Sequence, residues 1–460
     1  MSACKIVPVR ITPGNKAAIV FIHGGGGDVS ETWGNFPAFL ADAQELARWD
    51  IYSIGYESHV MRLSDYRNPT KLFTRMDPGV MALSGWLATE MMIAPLNRYS
   101  SIAIVSHSLG GLIAQRALLD DVNLRERVGH LFLFGVSSKG FRGILLDVAM
   151  KQLREIWPGS EFITTLRDNW DYNFVAKEAP LKYWAIAGTE DGFVKPDTSV
   201  APFPPEVRRF VPGDHIEMVK PDSADNASVL LVIDGITNHE RWTAPVDSAD
   251  IAVETTEFKR TIARLGTEPE RLDHKALVKL GIAYDGVGRR DEAMRVLEFA
   301  RGKRQTDAMG TLAGRYKRRW LAFEREHDAV EASQLYGDGL RQSVEAENWG
   351  QACYHGINVA FMMLAYEGKL PAARAQASTV LEYCAKCPAD KWRHASEGEA
   401  HLLLDDINAS LACYAAAIEH ADAWEVESMF AQATTEAKLL RHDEFIGRLT
   451  ELCRNWRRRP

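Results

Sequence analysis

The sequence lacks several features that mark membrane, secreted and nucleic-acid-binding proteins. It has no run of about 18 apolar residues that could span a bilayer. Its first ten residues, MSACKIVPVR, contain no apolar segment of the kind found in a signal peptide. The formal net charge is -8 and no basic domain is present to follow the phosphates of a nucleic acid, while the short basic end RNWRRRP is interpreted as a solvated tail. We expect no integral membrane segment and no nucleic-acid partner.

Cysteine is also scarce, with six among 460 residues. Six cysteines are few for a disulfide framework in a chain of this length, which favours a reduced, cytoplasmic protein. Only Cys384 and Cys387 form a C-x-x-C pair, and no second pair or nearby histidine completes a zinc or redox motif. We interpret both as packing residues at a helix end, and we predict no metal and no cofactor.

The first half of the chain alternates strand-like with helix-like segments. Helical patterns such as residues 78–96 and 109–119 separate the short apolar runs. These runs are AAIVFIHG (17–24), SIAIVSHS (101–108), HLFLFGV (130–136) and LKYWAIAG (181–188). The alternation is typical of a mostly parallel sheet covered by helices on both faces. The sequence therefore predicts an α/β domain over residues 1–240, with ligands bound where the strands end.

From residue 253 onward the pattern is helical, and it repeats. Apolar residues on two successive helices have the spacing of a tetratricopeptide repeat. They are Leu280, Gly281, Tyr284, Ala293, Leu297 and Ala300. Weaker copies follow within residues 312–316, 360–377 and 398–417. We predict an all-α helical-repeat solenoid over residues 253–460, with a non-repetitive helical bundle as the alternative.

A polar segment joins the two halves. Residues 238–250 read NHERWTAPVDSAD and combine a proline with small and charged residues. Such composition is typical of a linker between domains. We place the linker at residues 241–252.

Two serines lie two positions apart where the second strand-like run ends, in IAIVSHSLGGLIAQ (102–115). A nucleophilic serine at a strand-to-helix turn has a strained backbone, and the residues two before and two after it must be small. For Ser108 these neighbours are Ser106 and Gly110, whereas for Ser106 one of them is the branched Ile104. Ser108 is therefore the candidate nucleophile, and we interpret Ser106 as a packing residue.

Four glycines follow the first strand-like run, in VFIHGGGGD. Glycines allow backbone N–H groups to point at a developing oxyanion. A donor around Gly25, together with the N–H of Leu109, would form an oxyanion hole. A phosphate-binding loop is the rival interpretation, but no G-K-[ST] follows and the glycines do not fit G-x-G-x-x-G. A plain flexible turn is the third.

The serine also needs a base and a carboxylate that orients it, in the chain order Ser, Asp, His for this kind of domain. AIAGTEDGFV places Asp191 in the loop after a strand, and VPGDHIEMVKP supplies His215 further on. Glu190 is an alternative to Asp191. His107, at the unconstrained position of the serine motif, is interpreted as a bystander.

With these motifs, residues 1 to about 240 resemble an α/β-hydrolase of the lipase-like serine-esterase branch that includes the GPI inositol-deacylase relatives. The matching segments are FIHGGGGDVSETW, IVSHSLGGLIAQRAL, GTEDGFV and DHIEMVKP. The resemblance implies an α/β-hydrolase fold and an esterase-like activity. The site residues that it implies are Ser108 as nucleophile, His215 as general base, Asp191 as its orienter, and Gly25 with Leu109 as oxyanion donors.

The sequence departs from that family's pattern in two places. Ser106 replaces the usual glycine, and GVSSKG (135–140) stands where the family commonly has a T-P-x-x-G-like turn. In related hydrolases the region at residues 141–180 contributes a cap over the site. The aromatic residues of this insert either bind an acyl or other apolar group or pack the cap onto the sheet. They are Phe141, Trp157, Phe162, Trp170, Tyr172 and Phe174.

The second half resembles the tetratricopeptide-type region called TRAF-binding in the apoptosis signal-regulating kinases. The similarity covers roughly residues 270–435 and includes GTLAGRYKRRW, YHGINVAFMML, KWRHASEGEAHLLL and CYAAAIEHA. It implies a regulatory or partner-binding scaffold without identifying the partner.

The leading hypothesis is a cytoplasmic serine hydrolase that cleaves ester bonds of small-molecule lipid or acyl substrates. A helical-repeat domain would regulate it through a protein partner or self-association, as in a signalling or defence effector. Two alternatives stay open. One is a catalytically inactive hydrolase fold that serves as a scaffold, and the other is an amidase or thioesterase on the same triad.

Overall fold

The computed structural model describes residues 5–56, 79–141, 154–176, 181–238, 242–301 and 306–456. The chain forms two compact units. The first comprises residues 1–239 and 247–256, and the second comprises residues 240–246 and 257–460. The predicted linker at 241–252 is thus divided: residues up to 246 belong to the second unit and those from 247 to the first. Neither unit is continuous in sequence.

The first unit contains a seven-stranded sheet of order β1-β3-β2-β4-β5-β6-β7. The strands are β1 (Lys5–Arg10), β2 (Ala17–Ile22), β3 (Trp49–Gly55), β4 (Ser101–His107), β5 (Val128–Phe134), β6 (Lys182–Gly188) and β7 (Arg208–Val211). Strand β1 is antiparallel to β3, and every other neighbouring pair is parallel. The four apolar runs of the sequence form β2, β4, β5 and β6.

Helices cover both faces of this sheet. The side chains on both faces of the central strands are therefore buried. In β2, Val20 packs in one apolar core with Leu112, and Phe21 packs in the other with Phe36. The helices are α1 (Phe36–Asp42), α2 (Val80–Met92), α3 (Leu109–Asp120), α4 (Val122–Arg127), α5 (Glu161–Trp170), α6 (Pro196–Ser199) and α7 (Ala227–Thr237). This arrangement confirms the predicted mostly parallel α/β fold.

The parallel register brings the ends of the strands to one edge of the sheet. Ile22 at the end of β2 pairs with Ser106, and Gly188 at the end of β6 pairs with Val211 at the end of β7. Because the loops that follow these strands leave from the same edge, the segments carrying the predicted site residues meet there.

The second unit consists of successive helix pairs, and its boundary with the first falls inside α8 (Ser248–Leu265). The pairs are α9 (His274–Gly286) with α10 (Arg290–Arg301), α11 (Thr306–Phe323) with α12 (Glu326–Glu345), α13 (Trp349–Ala365) with α14 (Leu370–Cys384), α15 (Lys391–Leu403) with α16 (Ile407–Glu419), and α17 (Ala423–Leu440) with α18 (Asp443–Arg454). The predicted all-α helical-repeat region is confirmed.

Small residues let the helices of a pair approach closely. A Cβ added at Gly281 would lie 2.7 Å from Leu297 Cγ, and one at Gly398 would lie 3.0 Å from the Tyr414 ring. Both glycines belong to the repeat pattern of the sequence. Its spacing therefore reports real contacts between the two helices of each pair.

A buried network of polar side chains links the first helices of four successive pairs. Lys317 Nζ donates to Asn358 Oδ1 at 2.5 Å and to Gln432 Oε1 at 2.7 Å, and Gln432 Nε2 donates to Glu399 Oε2 at 3.1 Å. Glu436 is fully buried nearby. Burial lowers the pKa of Lys317 and raises the pKa values of Glu399 and Glu436, so the interior of this unit favours the neutral form of each group.

The cysteine pair of the sequence lies at a helix end. Cys384 is the last residue of α14 and is buried, and Cys387 Sγ lies 3.9 Å from Cys353 Sγ. Within the described ranges, no group of three His, Cys, Asp or Glu side chains is arranged to hold a metal ion. In the same ranges no helix is both long and apolar enough to cross a membrane.

Candidate active site

Ser108 stands at the turn between β4 and α3 with a backbone that few residues adopt. Its φ is 51° and its ψ is -124°, and a positive φ costs a side-chain-bearing residue of order 1–3 kcal/mol. Its N–H donates to Phe134 O at 2.9 Å. This is the strained strand-to-helix turn that a nucleophilic serine requires.

The flanking residues show why small side chains are needed there. A Cβ at Gly110 would lie 2.4 Å from His23 O and 2.5 Å from Ile22 O, and both of these are backbone atoms. Ser106 is completely buried, and its Oγ donates to Phe132 O at 2.9 Å. Ser106 is thus occupied in packing, and only Ser108 stands at the turn.

Asp191 and His215 meet as an oriented pair. His215 Nδ1 and Asp191 Oδ2 lie 2.8 Å apart, and the Asp191 side chain is 0% exposed. The other oxygen, Asp191 Oδ1, accepts from the N–H groups of Phe193 at 2.9 Å and Val194 at 2.7 Å. These bonds fix the carboxylate, so Nδ1 of His215 carries the proton and Nε2 is left as the basic nitrogen. The neighbouring Glu190 is exposed, and its N–H donates to Gly213 O.

Ser108 and His215 line one cavity of about 650 Å³ at the carboxyl edge of the sheet. Gly25 lines the same cavity, within the run of glycines at 24–27. Leu109 is the first residue of α3, and the first N–H groups of a helix have no partner within it. The structure therefore brings Ser108, His215, Asp191, Gly25 and Leu109 into one region.

His107 is a residue whose place the sequence did not reveal. It is buried, its Nε2 lies 2.8 Å from the backbone oxygen of His215, and the two rings are 4.6 Å apart. Burial lowers the pKa of His107 to about 3, so the ring is neutral and Nε2–H donates to that carbonyl. His107 thus anchors the loop that carries His215. The interpretation of His107 as a bystander rested on its free position in the serine motif, which carries no information about a contact 108 residues away.

His23 performs a similar task for the glycine loop. Its Nδ1 lies 2.8 Å from Gly24 O, and its Nε2 accepts from the N–H of Tyr56 at 3.3 Å. Together these bonds assign the proton to Nδ1, and burial lowers the pKa of His23. A Cβ at Gly24 would lie 2.8 Å from Ser108 Cβ. The neutral His23 thus holds the loop so close to Ser108 that position 24 has room only for glycine.

The aromatic residues of the insert divide between packing and the cavity. Trp170 and Phe174 are buried in the core with Tyr183. Phe141 instead contacts Phe193, which lines the cavity beside His215; the ring centroids are 4.7 Å and 4.9 Å apart. Phe162 is partly buried, and Trp157 and Tyr172 are exposed. Residues 142–153 and 177–180 of the insert lie outside the described residues.

Comparison with known families agrees with the fold of the two units. Residues 19–254, just over half of the chain, match the model described as the alpha/beta hydrolase family. The chain belongs to that family and has its fold. Residues 254–363 match a second model, described as Tetratricopeptide Repeats-Sensor. No curated protein has a significant match to the chain.

Several solved structures are similar to the chain at low sequence identity. Phospholipase PlaB from Legionella pneumophila is 14% identical with a TM-score of 0.39, over 53% of this chain and 63% of that one. Lipase BlEst2 from Bacillus licheniformis is 18% identical with a TM-score of 0.35, over 47% and 93%. Lipase B from Aspergillus fumigatus is 18% identical with a TM-score of 0.38, over 51% and 56%. The chain thus spans less than two thirds of the length of PlaB and of the Aspergillus lipase.

The contacts of Gly110 predict that Gly110→Ala destabilises the first unit. The added methyl group meets two backbone oxygens, which cannot move aside. We therefore expect the free energy of unfolding to fall by about 1–3 kcal/mol or more. Differential scanning calorimetry of the full chain measures it as a lower Tm. Gly85→Ala is the matched control, because nothing lies within 4 Å of its added Cβ, and in a helix it should gain about 0.5–1 kcal/mol. An unchanged Tm for Gly110→Ala would contradict the tight turn.

Proposed function

We propose that the protein is a serine hydrolase that cleaves ester bonds of lipid or acyl substrates. One observation carries the proposal. A serine in the strained turn lies on the same cavity as a histidine whose ring is oriented by a buried carboxylate. The narrower resemblances, to the lipase-like serine esterases and to the TRAF-binding region, belong to this proposal.

In the proposed reaction Ser108 Oγ attacks the ester carbonyl carbon while His215 Nε2 takes its proton. Asp191 holds the ring and stabilises the imidazolium that forms. The N–H groups of Leu109 and Gly25 bind the oxyanion of the tetrahedral intermediate, one such donor being worth about 2.7–4 kcal/mol. His215 then protonates the departing alcohol. His215 then takes a proton from a water molecule, which attacks the acyl-serine. The carboxylic acid leaves as the proton passes from His215 to Ser108 Oγ.

The nature of the cavity supports an ester of an apolar acid. Phe193 and Ile216 line the cavity and are 59% and 54% exposed, so an acyl chain would cover apolar surface there. The triad alone does not select the leaving group, so an amidase or thioesterase is the alternative chemistry. A scaffold without activity is the alternative class, and the retained Ser108, Asp191 and His215 speak for catalysis.

We assign regulation or partner binding to the helical unit. Repeats of helix pairs generally present extended surfaces to other proteins. We assign no catalytic role to that unit. Cysteines 353, 384, 387, 413 and 453 carry free thiols. Free thiols suit a reducing compartment and support the cytoplasmic location that we propose.

A fluorophosphonate should label Ser108, because only an activated serine reacts rapidly with such a phosphonylating reagent. Peptide mass spectrometry locates the adduct. Ser108→Ala should abolish labelling and lower kcat on a simple ester by about 10⁴–10⁶. Ser106→Ala is the matched control and should keep the label. An adduct on Ser106, or none in the folded full chain, would contradict the assignment.

Asp191→Asn should lower kcat by about 10⁴, because the amide favours the wrong tautomer of His215. The measurement is kcat on a neutral ester across pH, with circular dichroism to verify folding. Glu190→Gln is the matched control and should keep kcat within about tenfold. If instead the large loss followed Glu190→Gln, the orienting carboxylate would be Glu190.

Removal of residues 257–460, which form the second unit apart from residues 240–246, tests regulation. A chain ending at residue 256 keeps the segment 247–256, in which Ser248 Oγ accepts from Trp49 Nε1 and Asp250 pairs with Arg48. If the helical unit controls the hydrolase unit directly, kcat/KM on a small ester should differ from that of the full chain by tenfold or more, about 1.4 kcal/mol. Equal values in two folded proteins would leave partner recruitment as its role.

A further inference from the structure

The charges on the wall of the cavity are unevenly divided. Asp28 and Glu31 lie in the loop after β2, Glu190 lies in the loop after β6, and Asp214 follows β7. Lys220 is the one lysine or arginine among the described residues that line the cavity. Four carboxylates therefore face a single ammonium group around Ser108 and His215.

These carboxylates are available as negative charges. Backbone N–H groups, led by those of Ser30 for Asp28 and of Glu217 for Asp214, lower the pKa values of both aspartates. Glu31 and Glu190 are exposed, and among the described residues neither side chain has an ion-pair partner. Among the described residues, Lys220 on the wall and Lys5 near Asp28 offset part of this charge, and the wall keeps an excess of carboxylates.

A second observation, independent of the carboxylates, concerns His107. This ring lines the cavity, is 6% exposed, and its Nδ1 has no hydrogen-bond partner in the described part of the chain. Since Nε2–H donates to His215 O, Nδ1 presents a lone pair without a donor. Because burial lowers the pKa of His107, the ring is neutral and adds no positive charge to the wall of the cavity.

We propose that this cavity selects esters that carry a positive charge over esters that carry a negative one. The inference rests on the ester hydrolysis proposed above and names its substrate class. The apolar side chains of Phe193 and Ile216 would take the aliphatic part of such a substrate, and the carboxylates would attract its cationic part. Like charges around a cleft also raise the local concentration of the oppositely charged substrate. Esters of ammonium alcohols fit this description, whereas anionic acyl donors do not.

Three butyrate esters vary the charge of the leaving alcohol, and each kcat/KM is divided by the rate of alkaline hydrolysis of the same ester, because an ammonium group also makes the alcohol a better leaving group. Butyrylcholine is cationic, 3,3-dimethylbutyl butyrate is its neutral isostere, and 3-sulfopropyl butyrate is anionic. All three would form the same butyryl-serine, so differences in kcat/KM report binding and acylation. A pH-stat measures them on the full chain at ionic strengths of about 0.01 M and 1 M, where the Debye lengths are about 30 Å and 3 Å.

At low ionic strength we expect kcat/KM to fall in the order cationic, neutral, anionic, with about tenfold between the extremes. The ratio should shrink to about twofold or less at 1 M, because salt screens exposed charges. Equal values at low salt, or a preference for the anionic ester, would overturn the charge selection while leaving ester hydrolysis intact. Hydrolysis of none of the three, together with no fluorophosphonate label, would overturn the proposed function and this inference with it.

Variants then assign the effect to the wall of the cavity. Glu31→Gln combined with Glu190→Gln should lower the ratio of cationic to anionic kcat/KM by about threefold at low salt. Glu45→Gln is the matched control, since Glu45 is an exposed glutamate of the same unit that does not line the cavity, and it should leave the ratio unchanged. Calorimetric Tm values verify folding of each variant. A ratio that the double variant leaves unchanged would show that these carboxylates do not set the selection.

Discussion

The left-handed backbone at Ser108 is the constraint on which the site depends. It is sustained by close contacts: a Cβ at Gly110 would strike the backbone of residues 22 and 23, and one at Gly24 would strike Ser108 itself. The parallel register of β2 and β4 sets these contacts, because Ile22 and Ser106 lie side by side. Strain at one serine is thus maintained by the packing of a whole sheet.

The candidate base is held from two sides by groups of different character. Asp191 binds the ring of His215, and the neutral His107 binds its backbone oxygen. Asp191 is in turn held by two backbone N–H groups. Asp191 lies in the loop after β6 and His107 is the last residue of β4, so both groups come from the same edge of the sheet. Preorganisation of this kind reduces the rearrangement that a reaction would require.

Burial keeps two further histidines of this site uncharged. His23 and His107 both have lowered pKa values, so neither adds a positive charge beside Ser108 at neutral pH. The described lining of the cavity contains four carboxylates and one ammonium group, that of Lys220. The same neutral rings hold the glycine loop and the loop of His215 by single, directed hydrogen bonds. The burial of these two rings thus both fixes the loops and keeps the histidines uncharged.

The sequence by itself determined the two architectures and the candidate residues Ser108, Asp191 and His215, since strand ends, small neighbours and helical spacing are local patterns. It could not reveal His107 as an anchor or the divided boundary near residue 246. Thr243 N–H donates to Glu427, 184 residues further on, whereas Trp49 Nε1 donates to Ser248 Oγ, 199 residues further on. Such contacts join residues that no local periodicity relates, and only the tertiary structure decided them.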